Sequence, residues 1–330
     1  MKLPIDINQI FSVENHQFNE LALKIFHFQA EQNEVYKTYL THLQIKPRDV
    51  RNVSEIPFLP IDFFKTHSIH SVPIPASTPF FQSSSTTKTG VSTHYMPKSE
   101  IYRQSFATSF HQCFGNPADY CIVALLPNYL EQQHSSLVYM VSHLIEQSLD
   151  PDSGFFLHNT DKLIEAIRAK LHQKKKVLLW GVTYALLDLA QTKPFKNLEN
   201  LTIIETGGMK GRRREMVRNE VHELLKLGFG VDQIGSEYGM TELFSQAYSQ
   251  SNGFFTCPPW MRVQLRNIDD PFSTVTAGKS GGINVIDLAN LTSCSFISTS
   301  DIGRMHKDDK FEILGRFDHS DVRGCNLLVQ

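Results

Sequence analysis

Residues 201–208 read LTIIETGG, an apolar run with β-branched side chains that ends in two glycines. Such a run predicts a buried β-strand, and the glycines predict a tight turn at its end. The next stretch, 212–227, has the apolar spacing of one helix face, and Gly228 is expected to end that helix. A strand, a glycine turn and a helix in this order form the repeating unit of α/β proteins.

The same pattern occurs nearer the amino terminus. YCIVALLP at 120–127 and KVLLWGV at 176–182 are short apolar runs, and DKLIEAIRAKL at 161–171 between them has helical spacing. This alternation predicts parallel strands that are buried between helices.

Beyond residue 256 the chain changes character. MRVQLRNI, GGINVIDL and FISTSDIGRM are strand-like pieces separated by Gly, Asp and Asn, which predict a β-rich final third. We therefore expect one α/β domain over 1–330. Its approximate subregions are a helical, proline-rich part at 1–79, an α/β part at 80–255 and a β-rich part at 256–330.

Composition excludes several classes of protein. The 330 residues carry a formal net charge of -2 with balanced acids and bases, which disfavours nucleic acid or an anionic membrane as the partner. No apolar stretch approaches the ~18 residues of a membrane span, and the first residues do not resemble a signal peptide. The cytoplasm is the expected location. The five cysteines are widely spaced without a C-x-x-C pair, so free thiols are expected.

The loop SSSTTKTG at 83–90 combines hydroxyl residues, Lys88 and a closing glycine. Backbone N–H groups in such a turn can hold an anion, the hydroxyls add donors, and the lysine neutralises phosphate charge. It does not match the Walker pattern G-x-x-x-x-G-K-[ST]. By itself the composition is equally typical of a solvated connector.

EYGMTELFS at 237–245 offers a second set of candidate ligands. Tyr238 could stack on a purine, Thr241 could bond a phosphate oxygen, and Glu242 could hold Mg²⁺. The alternative is a helix start at which Thr241 and Glu242 are surface residues.

TSDIGRM and LGRFD, near the end of the chain, add Asp301 and Arg316. A carboxylate can accept hydrogen bonds from both ribose hydroxyls, and a guanidinium can contact ribose or phosphate. Glycine turns beside charged residues are also common in any β-rich region.

The order of these stretches is more specific than any one of them. A Ser/Thr loop, a strand ending in Gly-Gly, YGMTE, SDIGR and GRFD follow one another as in adenylate-forming enzymes. Within that superfamily the chain most resembles the acyl-protein synthetases of bacterial bioluminescence operons, which are fatty acid ligases that feed an acyl reductase. IPFLPIDFFKTHSI at 56–69, ETGGMKGRRREM at 205–216 and RGCNLLV at 323–329 carry this likeness over most of the chain.

The resemblance implies an ATP- and Mg²⁺-dependent ligase and gives roles to the matching residues. The ATP phosphates would be held by Ser83, Ser84, Ser85, Thr86, Thr87 and Lys88. The adenine would be lined by Gly207, Gly208 and Tyr238, and the ribose would be held by Asp301 and Arg316. Thr241 would contact the reacting phosphate, and Glu242 would bind Mg²⁺.

Cys325 is the candidate for the second half-reaction. The resemblance implies that a cysteine near the carboxyl terminus takes the acyl group as a thioester and passes it to a partner, an acyl reductase or an acyl carrier protein. Arg323 beside it favours the thiolate. The alternative is a small packed residue in an apolar run.

The match departs from the superfamily pattern in two respects. Ser85 and Lys88 stand where loop glycines are usual, which leaves open a weak enzyme or a silent binding protein of the same fold. The chain ends at Gln330, soon after GRFD, so the usual mobile carboxyl-terminal domain and its lysine are expected to be absent. Lys88 and Lys210 are the candidates to supply the positive charge of that missing lysine. A ligase that acylates coenzyme A or a carrier thiol directly, on a fatty or an aryl acid, is the other alternative.

Overall fold

The computed structural model describes residues 3–84, 90–127, 131–195, 199–207, 216–275 and 278–317. In these ranges the α-helices are α1 Ile7–Phe11, α2 Phe18–Gln32, α3 Glu34–His42, α4 Phe63–Thr66, α5 Ser99–Phe114, α6 Ser136–Ser148, α7 Thr160–His172, α8 Thr183–Gln191 and α9 Arg218–Phe229. The strands are β1 Leu59–Pro60, β2 Phe80–Gln82, β3 Thr93–Tyr95, β4 Tyr120–Leu125, β5 Gly154–Phe155, β6 Lys176–Val182, β7 Leu201–Thr206, β8 Gly235–Tyr238, β9 Ala247–Ser249, β10 Met261–Arg266, β11 Ser280–Asp287, β12 Phe296–Met305 and β13 Phe311–Arg316.

The central sheet has the order β5-β4-β6-β7-β8-β9. The first five strands run parallel, and β9 returns antiparallel to β8. Every residue of β4 is buried, and β6 is buried except at Lys176, because helices cover both faces of a parallel sheet. The strands predicted within 120–127, 176–182 and 201–208 are therefore confirmed as β4, β6 and β7 of one parallel sheet.

A second sheet is built from the carboxyl-terminal third, in the order β1-β12-β11-β10 with β13 on β12. Its strands are antiparallel except β1, which runs parallel to β12. The β-rich final third is thus confirmed, and β1 places residues near 60 in the same sheet. The predicted subregion boundaries stay predictions.

Helix α2 joins the amino-terminal helices to this second sheet through buried amides. Gln29 Nε2 donates to the carbonyl oxygens of Asn290 and Leu291, at 3.0 and 3.2 Å. Ser295 N donates to Gln29 Oε1 at 2.9 Å, and Asn33 Nδ2 donates to the Ser293 carbonyl at 3.0 Å. These bonds fix α2 against the loop between β11 and β12.

A helix follows β7 as predicted, but it begins at Arg218, later than the predicted start at 212, and its predicted end is wrong. Helix α9 continues through Gly228 to Phe229 and is capped by Gly230 in the left-handed conformation. A Cβ at Gly228 would lie 2.5 Å from Ala190 Cβ and 2.6 Å from the Ala190 carbonyl oxygen. Gly228 therefore permits close packing of α9 against α8, and Gly230 supplies the stop.

None of the helices in the described ranges has both the length and the apolar character needed to cross a bilayer.

Candidate functional site

A cavity of about 480 Å³ lies at the carboxyl ends of three neighbouring parallel strands. Its lining includes Val182 at the end of β6, Thr206 and Gly207 at the end of β7, and Glu237 in β8. This edge is where ligands bind in open α/β sheets, because the loops that follow the strands converge there. The volume is typical of a small-molecule site.

Four residues assigned to the nucleotide line this cavity together: Ser83, Ser84, Gly207 and Thr241. Ser83 is anchored by backbone N to the Ser92 carbonyl, and its hydroxyl accepts from Ser92 N, both at 3.0 Å. Ser85, Thr86, Thr87, Lys88, Gly208 and Cys325 lie outside the described residues.

The stretch 237–246 forms the end of β8 and the connection to β9 rather than a helix start. Two buried side chains satisfy its backbone, one at the end of β11 and one in the loop between β11 and β12. Asp287 Oδ2 accepts from Phe244 N and Ser245 N at 3.0 and 2.9 Å. Asn290 Oδ1 accepts from Phe244 N at 2.9 Å, and its Nδ2 donates to the Glu242 carbonyl at 2.8 Å. These bonds hold the loop against the end of β11 and the loop that follows it.

His94, on β3, fixes Thr241 directly. Its Nδ1 lies 2.9 Å from the Thr241 carbonyl oxygen, and its Nε2 lies 2.7 Å from Ser293 Oγ. Burial lowers the pKa of His94 to about 4, although the Thr241 contact opposes that fall, so the ring is neutral at pH 7. A carbonyl can only accept, so Nδ1 carries the proton and Nε2 accepts from the serine hydroxyl. Phe244 stacks on the ring at 4.1 Å between centroids.

Glu242 is buried, and burial raises the pKa of its carboxyl. Ser92, Arg316 and Lys65 oppose this rise. Ser92 Oγ is buried without a hydrogen bond of normal geometry in the described part of the chain. A single carboxylate beside a hydroxyl fits an ion that completes its shell with phosphate oxygens and water, as Mg²⁺ does. Within the described residues, no group of three or more His, Cys, Asp or Glu side chains could hold a metal ion by itself.

Tyr238, Asp301 and Arg316 contact one another at the junction of the two sheets. Tyr238 Oη donates to Asp301 Oδ2 at 2.8 Å, and Arg316 Nε donates to Asp301 Oδ1 at 2.9 Å. Asp301 and Arg316 face each other directly across β12 and β13. The Tyr238 ring packs on Phe255 and Phe311. These three candidates form a group apart from the residues that line the cavity.

Two buried glutamates at the ends of β7 and β8 differ in ionisation. Burial acts to raise the pKa of Glu205, but His222 and Arg218 outweigh it and leave the pKa lowered. Burial raises the pKa of Glu237 to about 7; the hydrogen bond that Thr206 donates to its Oε2 opposes the rise, and the charge of Glu205 adds to it. Glu205 is thus ionised, while Glu237 holds a proton up to about neutral pH.

Glu237, Gln246 and His94 belong to the site although the motifs gave them no role. Glu237 and Gln246 flank the assigned residues in EYGMTELFSQ, so their proximity in sequence was the available signal. His94 follows the Ser/Thr loop, but nothing in its neighbourhood predicts that it reaches Thr241, 147 residues away.

The fold is shared with adenylate-forming enzymes, as predicted. ATP-bound MatB from Rhodopseudomonas palustris matches at 17% identity and a TM-score of 0.54 over 72% of this chain and 47% of that one. A 2-hydroxyisobutyryl-CoA ligase in complex with 2-HIB-AMP matches at 11% identity and a TM-score of 0.68. The match covers 94% of this chain and 70% of that one. The chain therefore spans about half the length of MatB.

No curated protein matches the sequence. The family described as "Acyl-protein synthetase, LuxE" matches residues 10–330. A match over nearly the whole chain confirms the resemblance that the ordered motifs indicate, and the protein belongs to the LuxE family of acyl-protein synthetases.

Proposed function

We propose that this protein activates a carboxylic acid with ATP to form an acyl-adenylate and then transfers the acyl group to a thiol. The observation that carries the proposal is that Ser83, Ser84, Gly207 and Thr241 line one shared cavity at the carboxyl ends of the strands. Membership of the LuxE family and the fold shared with ATP-bound MatB support the same chemistry.

In the first step a carboxylate oxygen attacks the α-phosphorus, the bond to the bridging oxygen breaks, and pyrophosphate leaves. Two anions approach each other, so fixed donors must offset their repulsion. The hydroxyls of Ser83, Ser84 and Thr241 would supply such donors. Glu242 and Ser92 would hold Mg²⁺, which would neutralise phosphate charge when bound. Asp301 and Arg316 would hold the ribose.

In the second step the thiolate of Cys325 would attack the acyl carbon, and the carbon–oxygen bond to AMP would break. The thioester would then pass to a partner protein, an acyl reductase or an acyl carrier protein. Phe317 N bonds the Ser300 carbonyl at 2.8 Å, which fixes the chain beside Asp301. Cys325 follows eight residues later, a reach of at most about 29 Å in extended chain.

The four cysteines in the described residues are poorly suited to this role. Burial raises the pKa of Cys113 and Cys121 to about 11 and that of Cys294 to about 12, and it raises the pKa of Cys257 as well. Their thiolate fractions at neutral pH are therefore small.

Intact-protein mass spectrometry tests the proposal. The protein would be incubated with Mg-ATP and a panel of fatty, hydroxylated, amino-substituted and aryl acids, beside Cys325→Ala and the matched control Cys113→Ala. We expect an ATP-dependent mass increase of one acyl group that Cys325→Ala loses and Cys113→Ala keeps. Turnover retained by Cys325→Ala would instead indicate direct transfer to coenzyme A or a carrier thiol. Absence of ATP binding would indicate a catalytically silent binding protein of the same fold.

A further inference from the structure

Arg266, the last residue of β10, is a buried arginine whose guanidinium lies within the second sheet. It is 9% exposed, and Gly282 of β11 faces it directly. A Cβ at position 282 would lie 2.5 Å from Arg266 Cζ, so the glycine leaves the room that the guanidinium occupies. A buried charge is costly unless it is paired or hydrogen-bonded, so the groups that Arg266 bonds indicate its role.

The pairing of β11 with β12 is interrupted beside this guanidinium. Ile283 alone lies opposite residues 299–301 of β12, whereas the pairs before and after this step follow one another in register. Asp301, a candidate ligand of the ribose, is the last of these three residues. Extra residues in one strand of a pair are over-represented next to active sites, where they change the direction of a side chain.

Arg266 bonds both strands at this interrupted step. Its Nη1 donates to the Ile283 carbonyl oxygen at 2.8 Å and to Asn284 Oδ1 at 3.0 Å. Its Nη2 donates to the Thr299 carbonyl oxygen at 2.6 Å. The planar fork of the guanidinium therefore joins β11 to β12 at the place where their regular pairing stops.

Thr299 connects this step with Asp301. Thr299 Oγ1 accepts from Asp301 N at 3.1 Å. The Asp301 carboxylate in turn accepts from Tyr238 and Arg316, one on each oxygen. A carboxylate has about four acceptor positions, so two remain for the ribose hydroxyls. The direction of this carboxylate depends on the Thr299 backbone, which Arg266 bonds.

Two further observations link Arg266 with the candidate ribose ligands. Burial lowers the pKa of the Arg266 guanidinium, and the charge of Asp301 opposes this fall, so the two charges attract each other. The ring of Phe317 lies 5.5 Å from Arg266 Cζ, and Phe317 directly follows Arg316 in the sequence. Arg266 therefore lies beside the chain at both candidates.

We propose that Arg266 is a positioning residue for ribose recognition: it fixes the interrupted step of β12 so that the Asp301 carboxylate faces the ribose hydroxyls of ATP. This inference rests on the proposed function, in which Asp301 and Arg316 hold the ribose. Arg266 acts through the backbone of Thr299 rather than by contact with the nucleotide. Its loss should therefore weaken the distinction between ribose and deoxyribose, which a purely structural role would leave intact.

The test compares ATP with 2′-deoxy-ATP and 3′-deoxy-ATP in ATP–pyrophosphate exchange, with the panel of acids used above. We expect the wild type to prefer ATP to at least one analogue by about 10- to 100-fold in kcat/KM, because that analogue lacks a donor to a charged acceptor. Arg266→Met is expected to reduce this preference to about threefold, chiefly by raising KM for ATP, because the carboxylate is misplaced.

Two more variants sharpen the result. Arg266→Lys keeps the charge but lacks the fork that bonds both strands, so it should recover only part of the preference. Gly282→Ala keeps the arginine, but its Cβ would displace the guanidinium, so it should reduce the preference as well. These two variants decide the question if Arg266→Met does not fold. Asp301→Ala combined with Arg266→Met should lose no more preference than Asp301→Ala alone.

Arg262→Met is the matched control. Arg262 lies on the same strand, and its guanidinium bonds Asn15 and Asn19, so the variant loses a similar set of contacts away from Asp301. It is expected to keep the preference for ATP. An equal loss of preference in Arg262→Met and Arg266→Met would overturn the inference, because a general weakening of the sheet would then explain both.

The outcomes separate this inference from the proposed function. An undiminished preference for ATP in folded Arg266→Met would overturn the inference while adenylation stands. Equal use of ATP and both analogues by the wild type would contradict the ribose role of Asp301 and the inference with it. Exchange with no acid would contradict the proposed function. Calorimetry of ATP and the two analogues would then measure the same preference as a ratio of Kd values in the wild type and Arg266→Met.

Discussion

Glu237 should make folding stability fall as the pH rises. Its pKa is about 7 in the folded protein against 4.5 in the unfolded chain. The folded state therefore holds a proton that the unfolded state releases, and stability decreases between pH 4.5 and 7. We expect Glu237→Gln to be more stable than the wild type by about 3 kcal/mol at pH 8, and by much less at pH 4.5.

Urea unfolding at the two pH values measures this difference. Glu146→Gln is the control, because Glu146 is exposed on α6 and is expected to show no comparable difference between the two pH values. Equal stability of Glu237→Gln and the wild type at pH 8 would mean that Glu237 is ionised there without cost.

His94 should act on catalysis through the position of Thr241. His94→Phe keeps a ring on Phe244 but leaves the Thr241 carbonyl unpaired. We expect kcat for pyrophosphate exchange to fall about 10- to 100-fold with a smaller change in KM, because the reacting geometry loosens. His94→Asn, whose Nδ2 can take the place of Nδ1, should recover part of the rate. An unchanged kcat in His94→Phe would rule out this positioning role.

At the scale of elements, Gly228 sets the distance between α8 and α9. In the interior of an exposed helix, Gly→Ala raises the free energy of unfolding by about 1 kcal/mol. At position 228, however, the new Cβ would clash with Ala190. We expect Gly228→Ala to destabilise by about 1–3 kcal/mol in thermal or urea unfolding. Adding Ala190→Gly to this variant should recover only part of the lost stability, because the new Cβ would still lie 2.6 Å from the carbonyl oxygen of residue 190.

Asn219→Ala is the control on α9, where an exposed substitution should change stability by no more than about 0.5 kcal/mol. A stabilising Gly228→Ala would show that the two helices can separate at little cost.

Helices and strands can be predicted where the local pattern of apolar residues determines them. Apolar runs such as 176–182 predict buried strands because both faces of a parallel sheet are covered. Gly228 was taken for a helix stop because glycine favours C-caps, whereas its role depends on a neighbouring helix that periodicity does not reveal. The role of Gly228 is therefore determined by its packing against Ala190 of α8, which is distant in the sequence.

At the scale of the whole molecule, Gln29 ties the first helices to the second sheet. Gln29→Leu would leave Ser295 N and the Leu291 carbonyl without a partner, while the Asn290 carbonyl would keep the bond from Ser293 N. We expect the free energy of unfolding to fall by about 2–4 kcal/mol, since each buried polar group left unpaired costs about 1–3 kcal/mol. Urea unfolding followed by tryptophan fluorescence should show one cooperative transition at a lower midpoint. Glu31→Ala, exposed on the same helix, should leave the midpoint unchanged, and a separate early transition would mean that the helices unfold alone.

The motifs predict Thr241 and Glu242 as candidate ligands, but they do not predict the residues that support this loop. Asp287, at the end of β11, and Asn290, in the connection that follows it, bond the backbone of the loop from another part of the chain. Hydrogen bonds between residues more than 40 positions apart leave no local pattern in a sequence.

The direct pairing of Asp301 with Arg316 is reached across an irregular step between β12 and β13. Ile302 faces Gly315, but the next residue, Gly303, faces Ile313, so Leu314 is one residue more than regular pairing needs. Such a bulge places two residues of one strand opposite one residue of the other. Deletion of Leu314 is therefore expected to close the step and to leave the guanidinium opposite Asp301, so this strand can lose a single residue at that position without giving up the pair.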